Sequence, residues 1–356
     1  MELHFHPKGG NLKGGNLLPR SYICVRVSAM KKYDLSGKKI LITGASGFVG
    51  SVLLRRIVRE CPGAKPIIFL RNNANFWRIK DIINNINGIK IIKGDITELN
   101  SLRPLARIKP DVIFHFAAYG AYPHQNDLEG AFKTNVIGTV NLVRVLEKVN
   151  YKVFVNVGTS SEYGYKKSPM KERDLLEPNS FYAAAKASST LLLQTYGKLT
   201  HRPIVTLRLF SVYGPYEEKT RFIPTLMRNL IKGTDISVPS RPYKRDFVYV
   251  DDVVDAFLRL IVSNIVGYEA VNLRGRIYNV CSGVQTSIAE AARIAVRVTG
   301  SRSRIIKGAY PGRPWDSAYW VGDPVYTRKV LGWRAKTGLE EGILKTFRWN
   351  KENFHV

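Results

Sequence analysis

Between residue 40 and about residue 215, short apolar runs alternate with longer stretches in which apolar positions recur every three or four residues. The runs at 40–43, 66–70, 89–92, 112–116, 153–157 and 204–209 predict strands, because each is short, rich in Val, Ile, Leu or Phe, and bounded by polar or turn-forming residues. The stretches at 50–59, 130–149 and 182–199 predict amphipathic helices between them. This alternation predicts an α/β fold, a doubly wound parallel sheet with helices on both faces. Beyond residue 215 the alternation loosens. Pro, Gly and aromatic residues gather at 238–243 and 310–315, which predicts a smaller, loop-rich α/β C-terminal domain. Residues 1–35 include Lys8-Gly9-Gly10-Asn11-Leu12-Lys13-Gly14-Gly15-Asn16 and show no helix or strand period, so they are expected to be disordered. Met30, just ahead of the first strand, is an alternative start.

No apolar run approaches the length that spans a bilayer, so no membrane association is expected. Cys24, Cys61 and Cys281 are isolated and fit neither a disulfide framework nor a metal site, in keeping with a cytoplasmic setting. The formal net charge is +27. Its Lys and Arg are scattered along the chain rather than gathered in a basic tail, so nucleic acid is not the expected partner.

Directly after the first predicted strand comes Gly44-Ala45-Ser46-Gly47-Phe48-Val49-Gly50, running into an apolar helix. Glycines between a strand and a helix let backbone approach a pyrophosphate, whose charge meets the free N–H groups of the helix end. Ser46, Phe48 and Val49 share that turn with Gly44, Gly47 and Gly50, giving a dinucleotide site of Rossmann type on residues 36–215. Elements near 245–260 and 277–282 are expected to return to this domain, with 216–356 mainly binding substrate. The second strand ends in Arg71, where an acidic residue would favour NAD(H). A guanidinium pairs with a 2′-phosphate instead, so NADP(H) is the expected cofactor, with NAD(H) the alternative. Asp95, followed by Ile96 after the third strand, is placed to reach the adenine or to cap a helix.

Tyr182 and Lys186 stand four residues apart in a strong helix former, hence on one face. A neighbouring ammonium favours the phenolate and fits the phenol for proton exchange with a sugar hydroxyl or ketone. The fifth strand runs into Gly158-Thr159-Ser160-Ser161-Glu162-Tyr163-Gly164, where Thr159 can orient the reacting oxygen or merely shape a polar turn.

These motifs, with His115-Phe116-Ala117-Ala118, Thr134-Asn135-Val136-Ile137-Gly138-Thr139, the run from Leu207 to Pro215 and the run from Arg245 to Asp252, stand in the order found in the extended short-chain dehydrogenase/reductases. The chain resembles that family of nucleotide-sugar epimerases, dehydratases and ketoreductases from residue 40 almost to its end. The resemblance implies a catalytic triad of Thr159, Tyr182 and Lys186. It places Ala117 and Ala118 along the cofactor, Asn135 behind the active-site helix, and Phe210 with Ser211 beside the nicotinamide. It implies that Arg245 and Arg313 grip the diphosphate of a nucleotide-diphosphate sugar, and that the protein is a homodimer. Tyr119, Tyr122, His124 and Gln125 either shape the sugar pocket or pack a rigid loop.

In the family's 4,6-dehydratases an Asp-Glu pair follows the catalytic Thr, and its decarboxylases carry a Glu two residues on. Ser160 and Ser161 hold those positions here and count as substrate-binding candidates, neither being a competent base. Glu162, if the strand continues, faces away. The expected reaction is hydride transfer at the sugar C4, by a 4-ketoreductase or 4-epimerase. A dehydratase or decarboxylase is the alternative, and a non-catalytic cofactor-sensing or RNA-binding relative a more distant one.

Overall fold

The structure, a computed structural model, describes residues 34–86, 88–120, 125, 127–265, 273–308 and 316–353. The first half alternates β1 (Lys39–Thr43), α1 (Phe48–Glu60), β2 (Lys65–Leu70), α2 (Lys80–Asn85), β3 (Lys90–Lys93), α3 (Leu99–Ile108) and β4 (Val112–His115). Then come α4 (Leu128–Phe132), α5 (Gly138–Val145), β5 (Val153–Thr159), α6 (Phe181–Leu199), β6 (Ile204–Leu209) and β7 (Ser211–Tyr213). The remainder holds α7 (Phe222–Lys232), β8 (Ile236–Val238), β9 (Lys244–Tyr249), α8 (Val250–Ile265), β10 (Arg276–Val280), β11 (Gln285–Ser287), α9 (Ile288–Thr299), β12 (Ile305–Lys307), α10 (Val325–Leu331) and α11 (Leu339–Asn353).

Seven of the strands form one sheet in the order β10-β6-β5-β4-β1-β2-β3, every pair parallel. Because each strand is covered on both faces, its apolar residues run continuously instead of alternating with polar ones. Ile40 and Ile42 point into the layer that carries α1 and α8, while Leu41 points into the layer with α3, α5 and α6. The strand order reverses between β1 and β4, and the crevice at such a switch point is where ligands of these sheets lie. β7, β9 and β11 form a second sheet, β8 and β12 a third, and both pack with α7, α9 and α11 around Leu226, Met227, Ile288 and Ile343.

Three expectations change. Leu35, assigned to the disordered extension, is fully buried in the core beneath the first strand. The long helix expected over 130–149 is interrupted by a π-helical turn at Lys133–Ile137 and ends at Val145. One extra residue in that turn rotates Asn135 toward β4, where it is buried. The fifth strand stops at Thr159, and Ser160–Tyr163 coil into a 3-10 turn. Glu162 is therefore not on the far side of an extended strand. Its carboxylate turns under the strand end, 2.7 Å from Arg208 Nε, and both side chains are cut off from water.

Breaking such a pair strands one charge in a low-dielectric interior. Arg208→Met is expected to lower stability by about 3–5 kcal/mol in urea unfolding, far more than an exposed change such as Arg293→Met.

Candidate active site

The glycine loop is shaped for backbone contact. Gly44 lies in the left-handed region at φ 70°, and a Cβ there would stand 2.7 Å from the Ala117 nitrogen. At Gly50 a Cβ would stand 2.5 Å from the Gly44 carbonyl, so helix and turn touch directly. Gly47 caps α1 with no side chain across its end, which leaves the first N–H groups of that helix facing the crevice. These are the features a pyrophosphate requires, and the cradle fits a dinucleotide. Ser46, Phe48 and Val49 are half-buried around the turn.

Arg71, at the end of β2, is exposed. Asp95 Oδ1 accepts from the Thr97 amide at 2.8 Å and from the Thr97 hydroxyl at 2.9 Å, a local turn ahead of α3 whose capping position is Glu98. Ile96 is buried against Gly138, its backbone carbonyl 3.3 Å from Asn141 Nδ2.

A polar chain crosses the sheet beneath the cofactor crevice. Burial pushes His115 down to about 3, with the charge of Lys186 acting in the same direction, so its ring is neutral. Thr139 Oγ1 donates to the Asn135 carbonyl at 2.6 Å. His115 Nε2, 3.0 Å away, must therefore carry the proton and donate to Thr139, leaving Nδ1 to accept from Thr43 Oγ1 at 2.8 Å. Thr43 Oγ1 in turn accepts from the Ala117 amide at 3.3 Å. Asn135 closes the chain by clasping the Tyr119 backbone, accepting its N–H at 2.9 Å and donating to its carbonyl at 2.8 Å. The strand end at Ala117 and Ala118 is thus braced from behind. Tyr119 gives its hydroxyl to Asp127, and Gln125 accepts the Gly120 amide at 3.1 Å. Tyr122 and His124 lie outside the described residues.

Ser180 caps α6 by accepting the Ala183 amide at 3.2 Å, which sets the helical register of Tyr182 and Lys186. Tyr182 packs on Gly120, whose φ of 96° and absent Cβ admit the ring. Lys186 is buried, and burial lowers it to about 8, the charge of Glu162 opposing part of that fall. Glu162 Oε1 accepts the Thr159 amide at 2.8 Å and the Thr190 hydroxyl, on α6, at 3.1 Å. Thr159 Oγ1 accepts the Ser161 amide at 3.2 Å and donates its proton to Ser161 Oγ at 3.3 Å.

Ser160 is buried and its Oγ accepts from Trp320 Nε1 at 3.1 Å. Arg245 lies 5.8 Å from the Trp320 ring centre and pairs with Asp316. Phe210 is buried against Gly322, and the half-buried Ser211 opens β7. Arg313 lies outside the described residues. Four residues at or beside this arrangement were not anticipated as parts of it. Glu162 would face away only if the strand continued past it; Asp316 and Trp320 carry no local signal, because they reach the site only through the folded chain, and nothing in the run from Leu207 to Pro215 marks Arg208 as the partner of Glu162.

A parallel α/β sheet with a glycine cradle beside its switch point, and with Thr159 at the end of β5 and Tyr182 and Lys186 on the helix α6, is a fold of short-chain dehydrogenase/reductase type. Residues 40–281 match the NAD dependent epimerase/dehydratase family. The chain belongs to that family. It is 29% identical over 355 residues to a dTDP-D-glucose 4,6-dehydratase of Bos taurus, covering 93% of both chains. It is 26% identical over 333 residues to UDP-glucuronate 4-epimerase 2 of Arabidopsis thaliana, covering 88% of this chain and 76% of that one. A solved epimerase from Methanothermobacter thermautotrophicus superposes with a TM-score of 0.79 at 25% identity, covering 91% of this chain and 94% of the other.

A pH test follows from Lys186. Between about pH 8 and its ordinary value of 10.5 the unfolded lysine holds a proton that the folded one has released. Stability contributed by this site should therefore rise with pH across that window, by roughly 3 kcal/mol in total. Urea midpoints of the cofactor-free protein and of Lys186→Met, compared from pH 7.5 to 10, should diverge in the wild type's favour as pH rises.

Proposed function

We propose that the protein transfers hydride at C4 of a nucleotide-diphosphate sugar, as a 4-ketoreductase or 4-epimerase, with NADP(H) preferred. One observation carries the reading against elimination. The positions after Thr159 are two serines, and the adjoining acid, Glu162, is buried in an ion pair with Arg208 and unable to meet a substrate. Elimination of water needs an acid and a base besides the tyrosine, and this strand end offers neither.

The bound nicotinamide supplies or takes up the hydride. Tyr182 exchanges the proton of the C4 oxygen, and Thr159 turns the hydroxyl proton that it otherwise gives to Ser161 to the same oxygen. Lys186 holds the nicotinamide ribose and lends its charge to the phenolate. Arg245 and Arg313 receive the diphosphate, with Arg245 exchanging Asp316 for phosphate oxygens, while Ser161 and Tyr119 border the sugar. Ser160 acts through Trp320, which its hydroxyl holds in place. Arg71 favours NADP(H) because a guanidinium pairs with a 2′-phosphate that an acid would repel. The protein works as a cytoplasmic homodimer: Leu191 and Leu199 on α6, with Leu128 and Ile137 beside them on α4 and the π turn, leave large apolar side chains exposed.

Three outcomes are expected. In a panel of UDP-, dTDP-, GDP- and CDP-linked sugars, at least one pair shows either NADPH consumed one-for-one with product or turnover without added cofactor; release of water from C6 in every active pair would overturn the reading. Tyr182→Phe lowers kcat by about 10²–10⁴-fold while cofactor affinity, read by fluorescence titration, stays within a fewfold. Leu191→Arg combined with Leu199→Arg converts the dimer to a monomer in sedimentation velocity without loss of helical signal.

A further inference from the structure

The segment from Asp316 to Asp323 crosses the end of the sheet as a strap held on both sides. On one side its Ser317 carbonyl accepts the Lys244 amide at 2.9 Å and its Gly322 amide donates to Asp246 at 3.1 Å, both on β9. On the other side Met170, in the chain after the 3-10 turn, gives its amide to the Val321 carbonyl at 2.9 Å and takes the Asp323 amide at 2.8 Å. At Gly322 a Cβ would stand 2.6 Å from the Phe210 ring and from Cys281 Sγ, so the strap lies directly on the chain beyond β6 and β10. Backbone contacts therefore set its position before any ligand arrives.

One side chain of the strap reaches the strand that carries Thr159. Trp320 is buried, its amide donates to Gln285 Oε1 at 3.2 Å, and its indole Nε1 donates to Ser160 Oγ at 3.1 Å. Ser160 is buried as well, and a buried indole N–H is costly to leave unpaired, so neither partner can trade this bond for water. Ser160 opens the 3-10 turn, and the Thr159 hydroxyl leans on that turn, accepting the Ser161 amide and donating to Ser161 Oγ. The turn is thus pinned at two points. Arg208 holds its Glu162 from β6, and Trp320 holds its Ser160 from the strap. The second pin is a neutral bond one residue from Thr159.

We propose that Trp320 is a positioning residue of the reaction: through its bond to Ser160 it holds the turn in the register that aims the Thr159 hydroxyl at the C4 oxygen of the sugar. This role rests on the reading of Thr159 given above and adds a determinant from a segment 160 residues away along the chain. A hydrogen bond from Thr159 strengthens as charge gathers on the C4 oxygen, so loosening the turn costs rate rather than affinity.

Two measurements on the full chain separate this role from the reading beneath it. With the tryptophans labelled with nitrogen-15, the indole resonance that Trp320→Phe removes marks Trp320. Ser160→Ala is expected to shift that resonance and to speed exchange of its proton with water. On the nucleotide-sugars of the panel that the wild type turns over, Ser160→Ala and Trp320→Phe each lower kcat roughly fivefold to tenfold. KM stays within about twofold, and the double variant is no slower than the slower single one, because both changes remove the same bond. An indole resonance that Ser160→Ala leaves unmoved removes the bond and the role with it, while hydride transfer at C4 stands. A kcat that either variant leaves unchanged, losses that multiply in the double variant, or a loss confined to KM does the same. A wild type that turns over no sugar of the panel removes the C4 reading and this role together.

Discussion

The buried pair of Glu162 and Arg208 is the interaction on which the catalytic end of the sheet depends. Arg208 lies on β6, and its guanidinium reaches Glu162 at 2.7 Å, the Tyr163 hydroxyl at 2.9 Å and the Glu172 carbonyl at 3.2 Å. Tyr163 passes the contact to Asn279 on β10 at 2.7 Å, and Asn279 Nδ2 donates to the Met170 carbonyl at 2.9 Å. On its other side Glu162 holds the Thr159 amide and the Thr190 hydroxyl. One carboxylate thus ties together the end of β5, the helix of Tyr182 and Lys186, and two further strands. A charge buried this deeply is tolerated because nearly every polar atom around it is satisfied, and the same condition makes the arrangement intolerant of change.

The pair also has an electrostatic consequence. Lys186 is buried, and burial alone works against its charge. The Glu162 carboxylate opposes that penalty, so burial lowers the lysine only to about 8. His115, close by, is held neutral by burial and by Lys186, which lets it serve as a fixed donor and acceptor between Thr139 and Thr43. Behind the active site, polar groups are therefore in defined protonation states, and proton exchange is left to the residues that face the crevice.

The substrate side is organised differently. Asp246, fully buried, accepts from the amides of Ser282, Gly283 and Gly322 at 2.8, 3.1 and 3.1 Å. That carboxylate pins β9 to the chain segments after β10 and before α10, so Arg245 and Trp320 lie beside fixed points of the chain, and Trp320 in turn reaches Ser160. The Arg245–Asp316 pair holds a cation at the place where a diphosphate is expected, already balanced by an acid that an incoming phosphate can replace.

What the sequence determined by itself was local. Continuous apolar runs specify strands buried on both faces, so the six strands of the first half were legible to within a few residues. The glycine turn was equally legible, because Gly44 and Gly50 answer to steric demands that no other residue meets. The Tyr182 and Lys186 spacing needed only a helix and its Ser180 cap. Tertiary structure alone decided the rest. Whether Glu162 faced solvent or core turned on where β5 ended, and the 3-10 turn that ends it is fixed by Arg208, 46 residues away along the chain. The π turn that points Asn135 inward leaves no mark in apolar periodicity, since it shifts the phase of a helix without changing its composition. Trp320 and Asp316 gain their places only by long-range packing, which a local pattern cannot encode.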